Sequence, residues 1–400
     1  MRTDSRLFTF FLGSIAALTS LSIDMSLPTV PAIEREFGQS AGRGGLTMSL
    51  FLAGYALTPL IGGPLADRLG RRPVLLVSLA LFGISACACG LSTSFVMLLV
   101  FRLLQGCASG VSTTLPLAIV RDLLEGSAAR QRISEVTTIN NIMPLVAPIV
   151  GSWVMLLGSW RLLFGTQGIF AAGISLALLL SFKETLPLER RRRLHPSALI
   201  RNYWHILANR TFLGFALMNG LTFACMFSFL SVSPLILMQR MGVTRSTYPL
   251  MFAVLGCGTI LGALMSATLN RRHASVRGII TSGLILMTAA SVIATALQMA
   301  GFHRPAAILP LVFATLFGFG LASPSITIEA LGPIPNLAGS GSGALRSILM
   351  IFGSGASGFL AIYCARHFMH AEVATTLTMS GTAVTALVLY ATLLRKHQAQ

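Results

Sequence analysis

Twelve apolar stretches of roughly 20 residues each, parted by short charged or turn-rich gaps, constrain this chain more than any other feature. A bilayer core of about 30 Å is crossed by roughly 20 residues of helix, so each stretch is expected to span a membrane. The predicted cores are 7–30, 44–66, 73–92, 94–120, 135–157, 161–182, 210–238, 246–269, 276–299, 305–328, 339–365 and 372–394. The fold class that follows is an all-α integral membrane protein of twelve transmembrane helices. Composition agrees: 54% of the 400 residues are hydrophobic, 10% are charged and the mean hydropathy is +0.78, too little polar surface to coat a soluble globule.

An even number of spans puts both termini on one side of the membrane. Of the 29 Lys and Arg, twenty fall in the tails and alternate loops on that side, seven fall on the other, and Arg102 and Arg346 lie within helices. The basic side is expected to be cytoplasmic. The net charge of +17 does not signal nucleic-acid binding, because the basic residues sit in gaps between apolar runs and form no single patch. The longest gap, Lys183 to Arg210, separates six helices from six. The expected organisation is an N-terminal six-helix bundle over 1–183, a cytoplasmic linker over 184–209 and a C-terminal six-helix bundle over 210–400. Its run Arg190 to Arg193 suits contact with anionic lipid. The apolar run from Leu7 lacks a small-residue cleavage site and reads as an uncleaved first helix.

The six cysteines all lie in apolar stretches without metal-ligand or disulfide spacing, and no metal site is expected. Trp153 and Trp160 are expected in the interfacial belt. Asp24 is the only carboxylate in the interior of a predicted helix, and an ionisable group at that depth marks a functional site by default. Gly13, Ala17, Ser20 and Asp24 share one helix face; so do Arg102, Gln105, Ser109 and Thr113, and Thr137, Asn141, Pro144 and Pro148. Three such stripes predict an aqueous path. Asn140, Asn141, Gln167 and Asn219 read equally as substrate ligands or as cross-helix bonds. Tyr55, Phe223, Met226 and Phe227 read as an adaptable apolar pocket or as packing.

Between the second and third spans stands Gly63-Pro64-Leu65-Ala66-Asp67-Arg68-Leu69-Gly70-Arg71-Arg72-Pro73, which resembles the signature loop of the major facilitator superfamily. The resemblance implies a cytoplasmic gate in which Gly63 allows close helix approach, Asp67 caps and pairs at the neighbouring bundle, and Arg68 and Arg71 latch, with Gly70 in the turn. Arg102-Leu103-Leu104-Gln105-Gly106 resembles the arginine motif of the fourth helix. Pro144-Leu145-Val146-Ala147-Pro148-Ile149-Val150-Gly151-Ser152 is similar to the antiporter motif of drug:proton exchangers, with Pro144, Pro148 and Gly151 in place and Ala147 and Ser152 where glycines are usual. Ser22-Ile23-Asp24-Met25-Ser26-Leu27-Pro28-Thr29-Val30-Pro31 looks like the bicyclomycin and chloramphenicol resistance branch.

The resemblance implies two six-helix bundles and proton-driven export of small amphipathic antibiotics from a bacterial inner membrane. The proton gradient supplies the energy, the partners are substrate, protons and membrane lipid, and no cofactor, nucleic acid or second subunit is called for. Asp24 and Arg102 are expected to face the cavity and to communicate through substrate and proton; a static ion pair joining two helices is the alternative role for them. A metabolite such as an amino acid, peptide or sugar is the alternative cargo. An enzyme is not expected, since no nucleophile–base pair, paired carboxylates or phosphate-binding loop accompanies the single membrane carboxylate.

Overall fold

The computed structural model describes residues 6–191, 196–244, 246–302 and 304–398, and all regular structure in them is helical. In chain order the helices are α1 (Arg6–Asp24), α2 (Val30–Glu36), α3 (Leu46–Leu57), α4 (Pro59–Leu69), α5 (Arg71–Gly90), α6 (Phe95–Leu123), α7 (Gly126–Leu157), α8 (Trp160–Ser181) and α9 (Pro196–Ala208). There follow α10 (Arg210–Ser233), α11 (Tyr248–Arg271), α12 (Val276–Met299), α13 (Pro305–Leu331), α14 (Ala338–Arg366) and α15 (Ala371–Gln398). Among the described residues eleven helical segments are long and apolar enough to cross a membrane, and twelve when α3 and α4, bent by 44°, are counted as one span. Arg192 and Arg193 of the arginine run lie outside the described residues.

Two spans are interrupted and a third changes to π geometry, each at a proline, which lacks an N–H and whose ring displaces the carbonyl four residues earlier. Ahead of Pro59 the freed carbonyl of Tyr55 accepts from the Thr58 hydroxyl at 3.0 Å. At Pro234 the Leu230 carbonyl accepts from Ser233 Oγ at 2.8 Å, and the chain continues as a π-turn over Pro234–Arg240. The first span departs most from expectation. Instead of one helix through residue 30, α1 stops at Asp24, a 3₁₀ turn follows at Leu27–Thr29, and α2 begins at Val30. Pro28 and Pro31 are the cause, because the carbonyl that Pro28 would need to contact is that of Asp24.

The chain packs as two compact units, Met1–Thr29 with Leu50–Ile200 and Val30–Ser49 with Arg201–Gln400. In the first, α1 packs on α6 and α7, and α5 on α6 and α8; in the second, α10 packs on α13, α14 and α15, and α12 on α13 and α15. Apart from α10 on α15, the same neighbours recur at the same places in the order of spans. Two glycine crossings show the repetition at atomic level. A Cβ at Gly106 of α6 would overlap the Phe51 carbonyl oxygen of α3, and one at Gly54 would overlap that of Leu103. In the second unit Gly320 of α13 lies likewise against the Thr259 carbonyl of α11, and Gly262 against that of Phe317. Backbones this close leave room only for hydrogen.

The belt expectation divides. Trp153 is 65% exposed, whereas Trp160 is 2% exposed, packed edge-on against Phe164. Trp160 opens α8 beside Arg161, whose guanidinium lies over its ring and donates to the carbonyls of Gly90 and Ser92, so this end of the helix is drawn into the unit.

Candidate functional site

Arg102 is fully buried in the first unit, about two turns into α6. Its Nη1 donates to Ser22 Oγ at 2.9 Å and to Gln105 Oε1 at 2.8 Å, and its guanidinium lies 4.5 Å from the Phe51 ring centre and 5.6 Å from that of Phe164. Gln105, also buried, donates to Gln167 Oε1 at 2.9 Å, while Gln167 Nε2 is buried and finds no partner among the described residues. Four helices thus contribute to one polar cluster. A bare guanidinium at membrane depth costs several kcal/mol, and hydrogen bonds with two aromatic faces are how this chain offsets it.

Asp24, 5% exposed, closes α1 at the proline break. Among the described residues its carboxylate makes no hydrogen bond and no ion pair, and Arg102 is engaged elsewhere. The static pair is therefore not formed here. The turn after Asp24 is held instead from α7: Met25 packs with Ala147 and Leu163, and a Cβ at Gly151 would overlap the Met25 carbonyl oxygen. Gly151 and the buried Pro148 thus bring the antiporter-like segment onto the Asp24 turn, and Ala147, the departure from the family pattern, fills the contact.

One level further along α1, Thr19 Oγ1 meets Thr113 Oγ1 at 2.6 Å and Ser109 Oγ at 3.2 Å. The bonds from α1 to α6 come from Thr19 and Ser22; Ser20, on the predicted stripe, is half-buried and Gly13 packs on Ile139. Tyr55 is buried, Asn141 and Thr137 are exposed, and Pro144 is half-buried. In the second unit Asn219 donates to Thr327 Oγ1 at 3.0 Å and accepts from Ser323 Oγ at 2.9 Å, the cross-helix alternative. Phe223 stacks on Phe227 at 5.3 Å and meets Phe319 of α13 at 6.2 Å, a partner that spacing along α10 does not reveal.

The signature loop closes a charge network in the first unit. Gly70 has φ 102°, a left-handed turn that glycine adopts freely, and a Cβ there would overlap the Glu184 carboxylate. Glu184 accepts from the N–H groups of Arg71 at 2.9 Å and Arg72 at 3.2 Å, neutralising orphan donors at the start of α5. Arg71 bridges Asp67 at 2.6 Å and Asp122 at 2.9 Å. Asp67 thus pairs with the arginine four residues on in its own loop, and Arg68 is exposed with no ion pair among the described residues. The close approach expected at Gly63 is absent, since a Cβ there would meet nothing within 4 Å; Gly62 is the glycine that touches Val111. Asp122 and Glu184 were missed because their partners stand 51 and 113 residues away.

Among the described residues no three His, Cys, Asp or Glu side chains gather to hold a metal ion. The buried polar groups around Asp24 and Arg102 are one carboxyl, one guanidinium held in place and amides with hydroxyls, on α1, α6 and α8. That is the equipment of a membrane carrier. The family model for the Major Facilitator Superfamily matches residues 12–358, and the chain belongs to that superfamily of transporters. It is 31% identical over 352 residues to the uncharacterized MFS-type transporter YdgK of Bacillus subtilis, covering 86% of each chain. To the multidrug resistance protein MdtL of Escherichia coli O81 it is 30% identical over 343 residues, covering 85% of this chain and 84% of that one. The crystal structure of a D-xylose-proton symporter superposes with a TM-score of 0.72 at 14% identity, over 96% of this chain and 97% of the other, a likeness of fold.

Proposed function

We propose that this transporter is a drug:proton antiporter of the bicyclomycin and chloramphenicol resistance type, exporting small amphipathic antibiotics across a bacterial inner membrane by alternating access, with both termini cytoplasmic. The observation that carries the reading is the Asp24 carboxyl: buried at a helix break, unclaimed by any partner among the described residues, and held from behind by the antiporter-like segment of α7. A carboxyl so placed is available to a proton or to a polar group of the cargo in turn. Arg102 and the unpartnered Gln167 amide offer donors to the same cargo, and the name of MdtL gives the cargo class independent support. In the cycle, a proton reaching Asp24 from outside favours release and return, and cargo arriving from the cytoplasm expels it.

The test uses purified protein in proteoliposomes with a pH-sensitive dye inside and an imposed gradient of chloramphenicol. Proton movement opposite to the drug, lost in Asp24→Asn while the variant inserts normally, is the expected result. Drug-driven proton movement that survives in Asp24→Asn would overturn the role of the carboxyl, and wild-type protein that moves no protons would overturn antiport.

A further inference from the structure

At the end of the second unit where α10 and α12 begin and α13 and α15 finish, a cleft of about 100 Å³ lies between these helices. This end also carries Arg210, Arg271 and Arg272, so it belongs to the basic side of the charge count. Phe215 of α10, Ile280 of α12 and Leu393 of α15 make apolar walls, and three polar side chains reach the cleft: Arg277 of α12, Glu329 of α13 and Tyr390 of α15. Tyr390 is 3% exposed. Its hydroxyl donates to the Arg277 carbonyl at 3.3 Å and interacts electrostatically with both charges, so guanidinium and carboxylate face one place.

Neither charge is explained by the helix that carries it. Arg277 is the second residue of α12 and Glu329 the third from the end of α13, so each stands at the pole of its helix dipole that disfavours its sign. Among the described residues the two form no ion pair with each other, and neither side chain makes a hydrogen bond. A ligand bringing an anion to Arg277 and a cation to Glu329 answers both. The volume selects the cation: 100 Å³ is that of about three waters, room for a two-carbon arm ending in an ammonium and too little for a trimethylammonium. Arg277, exposed at the rim, is left for a phosphate, which a guanidinium grips as a fork. The apolar walls, and the level of the cleft at helix ends where a bilayer presents its headgroups, make a lipid the source of such a group.

We propose that this cleft binds the headgroup of phosphatidylethanolamine, with Glu329 and the Tyr390 hydroxyl oxygen accepting from its ammonium and Arg277 donating to its phosphate. The bound headgroup bridges α12, α13 and α15. The site lies in the second unit alone and depends neither on the cargo nor on Asp24.

Native mass spectrometry of the full-length protein, purified in detergent and stripped of lipid, tests the site with added lipids of identical acyl chains. Phosphatidylethanolamine should bind at least about tenfold more tightly than phosphatidylcholine or phosphatidylglycerol, because it alone brings charged N–H donors to Glu329. Glu329→Gln should erase that preference, and Arg277→Gln should weaken phosphatidylethanolamine binding at least about tenfold. Phosphatidylethanolamine should also raise the unfolding midpoint of wild type and leave that of Glu329→Gln where it was. Should Glu329→Gln fail to fold, Arg277→Gln decides, since its side chain is exposed. Equal binding of the three lipids, tighter binding of phosphatidylglycerol, or unchanged phosphatidylethanolamine binding in either folded variant overturns the site. Displacement of the lipid by soluble phosphoethanolamine at equal concentration overturns its assignment to a lipid.

Discussion

Replacing Arg102 by Met separates what this side chain does for folding from what it does for transport. The substitution removes the donor to Ser22 Oγ and Gln105 Oε1, two charge-assisted bonds of about 1.5–3 kcal/mol each, and the contacts over Phe51 and Phe164, about 0.5–2 kcal/mol each. Against that loss stands the cost of keeping a guanidinium out of water, several kcal/mol, which vanishes with the charge. The Ser22 hydroxyl can turn to another acceptor, and a thioether packs well between two aromatic rings. The net destabilisation is therefore expected at about 3 kcal/mol or less, small enough for normal insertion. Arg102→Ala should be worse, because it adds a cavity between the rings. Thermal unfolding in detergent, followed by tryptophan fluorescence, is the assay, and Trp160 lies 6.0 Å from Phe164, one of the two rings. Transport of chloramphenicol by Arg102→Met should fall at least about tenfold, since no apolar side chain replaces a membrane-depth cation. Wild-type transport by a folded Arg102→Met protein would show that the cation serves packing alone. Failure of Arg102→Met to insert, with Arg102→Lys inserting normally, would show that the charge is a folding requirement and refute the separation.

Three further outcomes follow from the geometry. Asp122→Asn should cost about 1–2 kcal/mol of stability and Asp67→Asn less than about 1, because Asp122 is 18% exposed and Asp67 42%, measured by the same unfolding assay. Asp67→Asn should nevertheless slow turnover at unchanged drug affinity, and lost affinity with normal turnover would contradict its assignment to the gate. Gly106→Val and Gly320→Val should each destabilise by about 3 kcal/mol or more, whereas Gly63→Ala should change stability by less than about 0.5, compared through expression level and unfolding midpoint.

Helix number and most helix ends were legible in the sequence because hydropathy reports burial in lipid directly; α8 and α12 lie within a residue of their predicted ends. Hydropathy does not register a missing N–H, which is why the prolines at 28 and 59 interrupt, and that at 234 reshapes, spans that a window reads as continuous. Residue type singled out Asp24 and Arg102 as candidates, since an ion in an apolar run is conspicuous whatever surrounds it. Spacing chose Ser20 over Thr19 and Ser22 because several small residues share a broad face, and the rotation of α1 against α6 selects among them. The place of Glu184 in the loop's charge network was invisible, because its partners are backbone N–H groups more than a hundred residues away.

The repeated glycine crossings allow the two units to be laid over one another residue by residue, and the comparison assigns each a different chemistry. With Gly106 matched to Gly320 and Leu103 to Phe317, Ser109 and Thr113 fall on Ser323 and Thr327. These are the pairs bridged by Thr19 in the first unit and by Asn219 in the second, so the cross-helix bonding of α1 to α6 recurs between α10 and α13. Carried along the same helices, Arg102 falls on Leu316, Gln105 on Phe319 and, with Thr19 matched to Asn219, Asp24 on Ala224. The shared hydroxyl and amide bonds are thus scaffold, since both units keep them. What differs is specialised: a carboxyl, a guanidinium and an amide on one scaffold, and Leu316 with the Phe319–Phe223–Phe227 stack on the other. Along these helices the first unit thus carries a carboxyl, a guanidinium and an amide where the second carries Ala224, Leu316 and Phe319.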